Sequence, residues 1–322
     1  MSQTTGRIPL PSMTPLEETN DLIGDAAGLQ ARLDNEAYAF FRNVLDADAV
    51  QSLKKKYMKV LVDMGYVDEG QTDPIWNGKD LTDFPIKIEP LHDDRVWEAF
   101  VAHPAVNDFF KGLLGGAPFW LPIVEYRITP PTKELPDDPL WPRHRDGFYN
   151  GDLNCYTCWV PLMDIGEAEG GIAMATGMHK NGYLHDLNDP PQYWIPQGAI
   201  PPEVWKRSDY HPGDLVMFTH WIPHSGLPNR SDRFRMSMDV RVMRADADLP
   251  VLGTVKSFTP DAIVVANHDG REVRLAVNED TYCRWTAGRR ILIEELIAKI
   301  PAGDRVLAFH KDGRATMLRP PR

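Results

Sequence analysis

The sequence predicts a mainly β fold with helices toward its N-terminal end and a small β module at its C-terminal end. Three observations carry that prediction. From about residue 118 onward, short apolar runs recur between clusters of glycine, proline and aspartate, the punctuation of strands and turns. Within them, RFRMSMDVRV alternates apolar and polar residues without a break, a period of two. Before residue 118, apolar residues recur instead at steps of three and four, the period of a helix.

Taken in order, MSQTTGRIPLPSMTPLEETND has no apolar signal-peptide core and reads as a loose lead-in. AYAFFRN (37–43) reads as a short strand. Asp46 has the chemistry of a helix N-cap, and Val50, Leu53, Tyr57, Leu61 and Met64 follow as an apolar stripe that ends near Gly65. A second helix is expected from Pro104 through Val106, Phe109, Phe110 and Leu113 to the Gly115-Gly116 stop. Strands are expected over 118–129, 154–163, 170–175, 213–221 and 233–243. In the last of these, Phe234, Met236, Met238, Val240 and Val242 alternate with Arg233, Arg235, Ser237, Asp239 and Arg241, and a polar strand face most often meets water.

The stretch 177–212 is rich in proline and carries Tyr183, Tyr193, Trp194, Trp205 and Tyr210. It is too long for a plain connection and reads as a lid or substrate loop. After about residue 250 the texture changes to short strands, a helix over 290–299 and two hairpin turns, Asp269-Gly270 and Asp312-Gly313. The expected division is therefore a main domain over 1–249 and a β-rich accessory module over 250–322.

The 322 residues carry 35 basic and 46 acidic side chains, a net charge of −11, which disfavours broad binding to nucleic acid or anionic membrane. No run approaches 18 consecutive apolar residues, so no membrane span is expected. Three cysteines, an odd number, point to a reducing compartment and to the cytoplasm. The partner class left is a small molecule; oligomeric state is not legible.

His-x-Asp occurs three times, and context separates the copies. His92-Asp93-Asp94 precedes a helical stretch, where the aspartates read as helix caps. His310-Lys311-Asp312-Gly313 sits in a hairpin turn with a local reason for its aspartate. His144 and Asp146 have neither excuse; in an extended segment both point to one face and bind one ion together. A third ligand is available in GDLVMFTHWIPHSGLPNRSDRFRMS, which offers His220 and His224 at the same strand parity. Two histidines and one carboxylate leave open positions for O₂ and a chelating cosubstrate, as in non-heme Fe(II) oxygenases. Arg235 supplies the fork that grips a carboxylate, and Ser237 shares its face.

Together HRDGFY, CWVPLMDIGEAEGGIAMATGMHK and GDLVMFTHWIPHSGLPNRSDRFRMSMDVR resemble the phytanoyl-CoA dioxygenase family of Fe(II)/2-oxoglutarate oxygenases, over about residues 35 to 245. The resemblance implies a double-stranded β-helix, a cupin-like jelly roll. It implies His144, Asp146 and His224 as iron ligands, the residues after His224 favouring it over His220. It implies Arg235 as the partner of the far carboxylate of 2-oxoglutarate, and Fe(II), 2-oxoglutarate and O₂ as cofactors. Thr157 and Trp159 are read as cosubstrate-pocket walls or as core, with Tyr126 a weaker residue of the same kind. The resemblance also implies oxidation, most simply hydroxylation, of a small molecule such as a natural-product or acyl intermediate, with release of succinate and CO₂. Asp146 is the residue that related halogenases lack, which favours oxygenation here. The chain departs from the family at Ala175-Thr176-Gly177-Met178-His179, where Pro-Gly-Ser-His is common, and in its C-terminal module.

Two rivals use the same residues: a zinc hydrolase or lyase, which Arg235 and the lack of an obvious general base oppose, and a non-catalytic jelly-roll binding protein. Cys155 and Cys158 form a CxxC inside a strand, where an offset of three puts the thiols on opposite faces. No GxGxxG or GxSxG frames a nucleotide or hydrolase site.

Overall fold

Asp46 accepts a hydrogen bond from Ala49 N at 2.9 Å, satisfying one of the orphan donors at a helix start. The computed structural model describes residues 10–132, 136–150, 155–182, 184–186, 188, 193–285 and 290–321. Its N-terminal elements are α1 (Ala26–Glu36), β1 (Tyr38–Phe41), α2 (Ala47–Asp63), α3 (Glu89–Asp93), α4 (Val96–Val101) and α5 (Pro104–Leu114). Gly115 ends α5 in the left-handed conformation, φ 68°, as its position after the apolar stripe predicts. One expectation fails here: Asp93 ends α3, and α4 starts at Arg95 with no side-chain cap. Trp97 N donates to the Tyr126 hydroxyl instead (3.0 Å), so the cap comes from a distant strand that local spacing cannot reveal.

The β elements follow: β2 (Pro118–Thr129), the short helix α6 (Asp146–Asn150), β3 (Tyr156–Pro161), β4 (Ile172–Ala175), β5 (Trp205–Lys206), β6 (Leu215–Thr219), β7 (His224–Gly226) and β8 (Arg235–Arg244). Asn154, placed in a strand by its sequence, lies outside the described residues. One sheet runs β1-β6-β3-β8-β2 and a smaller one β5-β4-β7.

Register decides what each face of the larger sheet carries. Tyr126 and Cys158 lie opposite Met238 and Val240, so this face continues through Met236, Met238, Val240 and Val242. It packs with Leu53, Tyr57 and Leu61 of α2 and Val106, Phe110 and Leu113 of α5 in one core, each large side chain contributing about 1.5–3 kcal/mol by burial. The other face carries Arg235, Ser237, Asp239 and Arg241. Trp159 lies opposite Asp239, and Thr157 opposite Arg241. β8 is buried on both faces from Arg235 to Met243, so its polar face does not meet water as such faces most often do. A buried polar row persists only where its groups find partners, as Asp239 does with Arg127 Nε at 2.7 Å.

Two aromatics of the stretch after β4 are packed in. Trp205 pairs with Ala175 across β5 and β4, and both Trp205 and Tyr210 are buried. Tyr183, Pro190 and Pro191 lie outside the described residues.

The chain divides into two compact units. One is Met1–His144, Tyr156–Asp186 and Trp194–Arg244; the other is Arg145–Cys155, Leu187–Tyr193 and Ala245–Arg322. The second contains β9 (Val251–Thr259), β10 (Ala262–Asn267), β11 (Glu272–Ala276), β12 (Tyr282–Cys283), α7 (Ile293–Lys299), β13 (Arg305–Lys311) and β14 (Arg314–Arg319). Strand order is β11-β10-β9-β13-β14-β12, and a parallel pairing of β11 with β14 closes the first five into a ring. Val255, Ile263, Val265, Leu275, Leu296 and Val306 fill its core. Both Asp-Gly turns form as read, with Gly270 at φ 77° and Gly313 at φ 74°. No helix among the described residues is long and apolar enough to cross a membrane.

Candidate metal centre

His144 and His224 are joined by their own backbones. Each peptide N–H donates to the other's carbonyl, at 3.0 Å from His144 and 2.9 Å from His224, so the two rings stand side by side with centroids 4.3 Å apart. The imidazoles are also tethered in the same way. Nδ1 of His144 faces Pro142 O, and Nδ1 of His224 faces Ile222 O, both at 3.1 Å. A carbonyl accepts only, so Nδ1 carries the hydrogen and Nε2 keeps its lone pair for an ion.

Asp146 is the first residue of α6. The extended, same-face argument for His144 and Asp146 therefore needs correction: the histidine is on extended backbone and the aspartate on a helical turn. One donor atom from each of His144, Asp146 and His224 nevertheless lies within 4.8 Å of the others. Two neutral imidazoles with a carboxylate are the donor set that a first-row divalent ion takes with positions to spare, so the residues present fit Fe(II). His220 is not in this group; it follows β6 and lies against Trp221, ring centroids 5.0 Å apart. The other His-x-Asp copies are not in this group either; His92 instead makes an edge contact with the Tyr126 ring, centroids 4.7 Å apart.

Arg235 starts β8 and is buried, and its hydrogen bonds run to uncharged oxygens. Nη1 donates to Glu169 O (2.8 Å) and Leu227 O (2.5 Å), and Nη2 to Thr129 Oγ1 (3.1 Å). Among the described residues no carboxylate pairs with it. The nearby Glu169 carboxylate is held by Arg233 (2.6 Å) and Gly166 N (3.0 Å). Burial pushes Glu169 up, but these bonds outweigh it and hold the group below its ordinary value. Burial pushes the Arg235 guanidinium down to about 10, and the Arg127 charge acts in the same direction. A buried cation with no carboxylate hydrogen-bonded to it is costly, the nearby Glu169 charge offsetting only part of the cost, and an incoming carboxylate relieves it. The Gly170-Gly171 pair makes this packing possible. A Cβ on Gly170 would meet Pro228 O at 2.6 Å and one on Gly171 the Tyr210 ring at 2.9 Å, both at positive φ.

Ser237, Thr157 and Trp159 lie on the same sheet face as Arg235. Phe218, opposite Thr157, brings this face to the histidines, its ring 5.0 Å from that of His224. Trp159 packs edge-on against Tyr210 at 4.8 Å and belongs to the core. Tyr126 is not with them. It occupies the opposite, helix-packed face, its ring 6.0 Å from that of Tyr57, because it falls one residue out of phase with Arg127 and Thr129. Cys155, Cys158 and Cys283 are buried and form no disulfide.

Sequence reasoning missed several residues here. Thr129 and the Glu169 and Leu227 carbonyls that hold Arg235 have no motif; main-chain oxygens leave no signal in side-chain identity. Trp194, whose ring lies 5.7 Å from that of His144, was noted only as part of the aromatic stretch. Phe218 was findable, since it shares strand parity with His220 and His224.

A family model described as Phytanoyl-CoA dioxygenase (PhyH) matches residues 35–237. The 1-deoxypentalenic acid 11-beta-hydroxylase of Streptomyces arenae is 28% identical over 239 residues, covering 70% of this chain and 84% of that protein. The enzyme of the same name from Streptomyces exfoliatus is 26% identical over 240 residues, with the same coverage of 70% and 84%. Among solved structures, EvdO2 from Micromonospora carbonacea var. aurantiaca complexed with 2-oxoglutarate is 17% identical, with a TM-score of 0.48, covering 73% of this chain and 94% of that one.

Proposed function

The chain belongs to the phytanoyl-CoA dioxygenase family of Fe(II)/2-oxoglutarate-dependent oxygenases, and from that premise we propose that it hydroxylates a small natural-product or acyl intermediate. Succinate and CO₂ are the by-products. The similarity to the two Streptomyces hydroxylases of 1-deoxypentalenic acid supports this choice of reaction and a substrate of natural-product type. We read the five-stranded and three-stranded sheets as the two layers of a double-stranded β-helix, and place the protein in the cytoplasm on the strength of its three cysteines, which form no disulfide.

The observation that carries the reading is the convergence of His144, Asp146 and His224 within 4.8 Å. In it, Nε2 of both histidines and the Asp146 carboxylate would hold Fe(II). Arg235 would pair with the far carboxylate of 2-oxoglutarate through the guanidinium hydrogens not given to Glu169 O, Leu227 O and Thr129 Oγ1, and the Ser237 hydroxyl would donate a further hydrogen bond. When bound, the iron with its cosubstrate supplies O₂ activation and the abstraction of hydrogen from substrate. The chain's own contribution is orientation and exclusion of water. The Nδ1 tethers fix both rings, Asp146 adds the negative charge that steadies a divalent ion, and Phe218 and Trp194 screen the histidines with apolar surface.

The test is an anaerobic titration of metal-free protein with Fe(II) and then 2-oxoglutarate, followed by the visible charge-transfer band of the chelate. The band is expected in the native protein, weakened in Arg235→Ala. Bound metal with no band overturns the oxygenase reading and leaves zinc chemistry or a binding role.

A further inference from the structure

The carboxylate arm of the triad stands on weak local support. α6 has only five residues, Asp146 to Asn150, and an isolated helix that short does not hold itself together in water. Its last carbonyls have no partner within the helix. One is satisfied from far along the chain: the Tyr282 hydroxyl donates to Phe148 O at 2.8 Å, across 134 residues. Segment Arg145–Cys155 and the chain from Ala245 onward form one compact unit, and Tyr193 of the same unit sets its ring 5.8 Å from that of Phe148.

Tyr282 is itself a fixed donor. It lies on β12, opposite Met317 of β14, and is buried. Thr281 Oγ1 donates to Ala315 O (2.9 Å) and Arg284 N to Leu318 O (2.9 Å), pinning the strand on both sides of it. The Arg290 guanidinium covers its ring at 5.1 Å, a cation–π contact. Yet Tyr282 lies beyond residues 35–237, where the family match ends.

We propose that the C-terminal β module is a positioning element for the metal centre, and that Tyr282 is its positioning residue, holding the α6 turn that carries Asp146. The hydroxyl fixes the Phe148 carbonyl, the carbonyl fixes the turn, and the turn fixes the direction of the Asp146 carboxylate. The inference rests on the reading of Asp146 as an iron ligand. It gives the module a role in ligand geometry, without contact to metal, cosubstrate or substrate.

Tyr282→Phe in the full chain deletes the hydroxyl and keeps the ring, its packing and the cation–π contact. Ile263→Val, in the core of the same module, serves as a control that loosens packing without touching α6. Hydrogen exchange of the amides of 146–150 in metal-free protein is expected to quicken in Tyr282→Phe and not in Ile263→Val. Fe(II) binding is expected to weaken by about tenfold in Tyr282→Phe, the lower end of the effect of outer-shell partners on metal sites. The visible spectrum of the Co(II)-substituted protein is expected to change with it. Native-like exchange and affinity in Tyr282→Phe, or equal losses in Ile263→Val, overturn the proposal. Native protein that binds Fe(II) but forms no band with 2-oxoglutarate overturns the oxygenase reading alone, because the exchange comparison needs no metal.

Discussion

The two histidines and the aspartate of the candidate centre are held by different means. His144 and His224 sit on extended segments that hydrogen-bond to each other, and each imidazole is anchored to a carbonyl two residues before it in its own chain. Their geometry is set within a few residues. Asp146 sits on a single short helical turn whose support includes a hydroxyl 134 residues away. The histidine arms are thus preset by β pairing, while the carboxylate arm depends on tertiary packing. A site built this way has a rigid half and an adjustable half, and substitutions in the two halves differ in what they leave behind.

The largest effect is expected from the rigid half. His224→Ala removes a donor and one partner of the ring pair, and is expected to weaken Fe(II) by more than about 100-fold, beyond the range of outer-shell changes. The charge-transfer band with 2-oxoglutarate disappears. Calorimetric titration with Fe(II) checks the first outcome and anaerobic absorption the second. A variant that keeps the band returns the choice to His220.

Asp146→Gly comes next and should behave differently. The two preset histidines remain, so metal binding falls by less than in His224→Ala while a weaker, shifted band persists with 2-oxoglutarate. Hydroxylation is lost although the cosubstrate binds. If Asp146→Gly and His224→Ala are indistinguishable by titration, the division into a rigid and an adjustable half is wrong.

This division also marks what the sequence could reveal. The strand-borne parts were partly legible: RFRMSMDVRV has an unmistakable period that puts Arg235 and Ser237 on one face, whereas parity left His220 and His224 open and only the family resemblance favoured His224. Asp46 and Gly115 announce helix ends by local chemistry. What depends on long-range packing was not legible. Asp94 looks like a cap until Tyr126 arrives from β2 to do that work. The face of a strand carries no label for water or core, so periodicity alone left open whether the polar row of β8 met water or lined a site, and the structure buries it. Tyr126 looked like a neighbour of the site because a strand's phase cannot be fixed without its partner's register.

Arg235 tests the cosubstrate side while leaving both metal arms alone. Arg235→Lys replaces a two-pronged fork by a point charge, so 2-oxoglutarate is expected to bind about tenfold more weakly, the equivalent of about 1.4 kcal/mol. Fe(II) affinity stays native. In the native protein the guanidinium, pushed down to about 10 by burial, is protonated below that value and loses its proton as pH rises through it. Affinity for the 2-oxoglutarate dianion is therefore flat below about pH 9 and falls above 10, which metal-free binding by calorimetry measures. No alkaline loss in the native protein argues against Arg235 as the anion's partner.

The smallest effect belongs to the face that turns away from the site. Tyr126→Phe removes the hydroxyl that accepts from Trp97 N, leaving α4, whose Arg95 offers no side-chain cap, with an unsatisfied first-turn donor. The expected cost is about 1 kcal/mol, that of losing a cap, read from urea unfolding. Burial also raises the Tyr126 hydroxyl to about 12, so the neutral phenol is favoured in the folded state. Its contribution is intact below the unfolded value of about 10 and fades as pH climbs from 10 through 12. Tyr126→Phe should flatten that part of the alkaline limb. Fe(II) and 2-oxoglutarate affinities should be native, since Tyr126 packs with the helices on the side opposite Arg235. A loss of cosubstrate affinity in this variant would show that the two faces of the sheet are coupled, and that the helix layer belongs with the adjustable half.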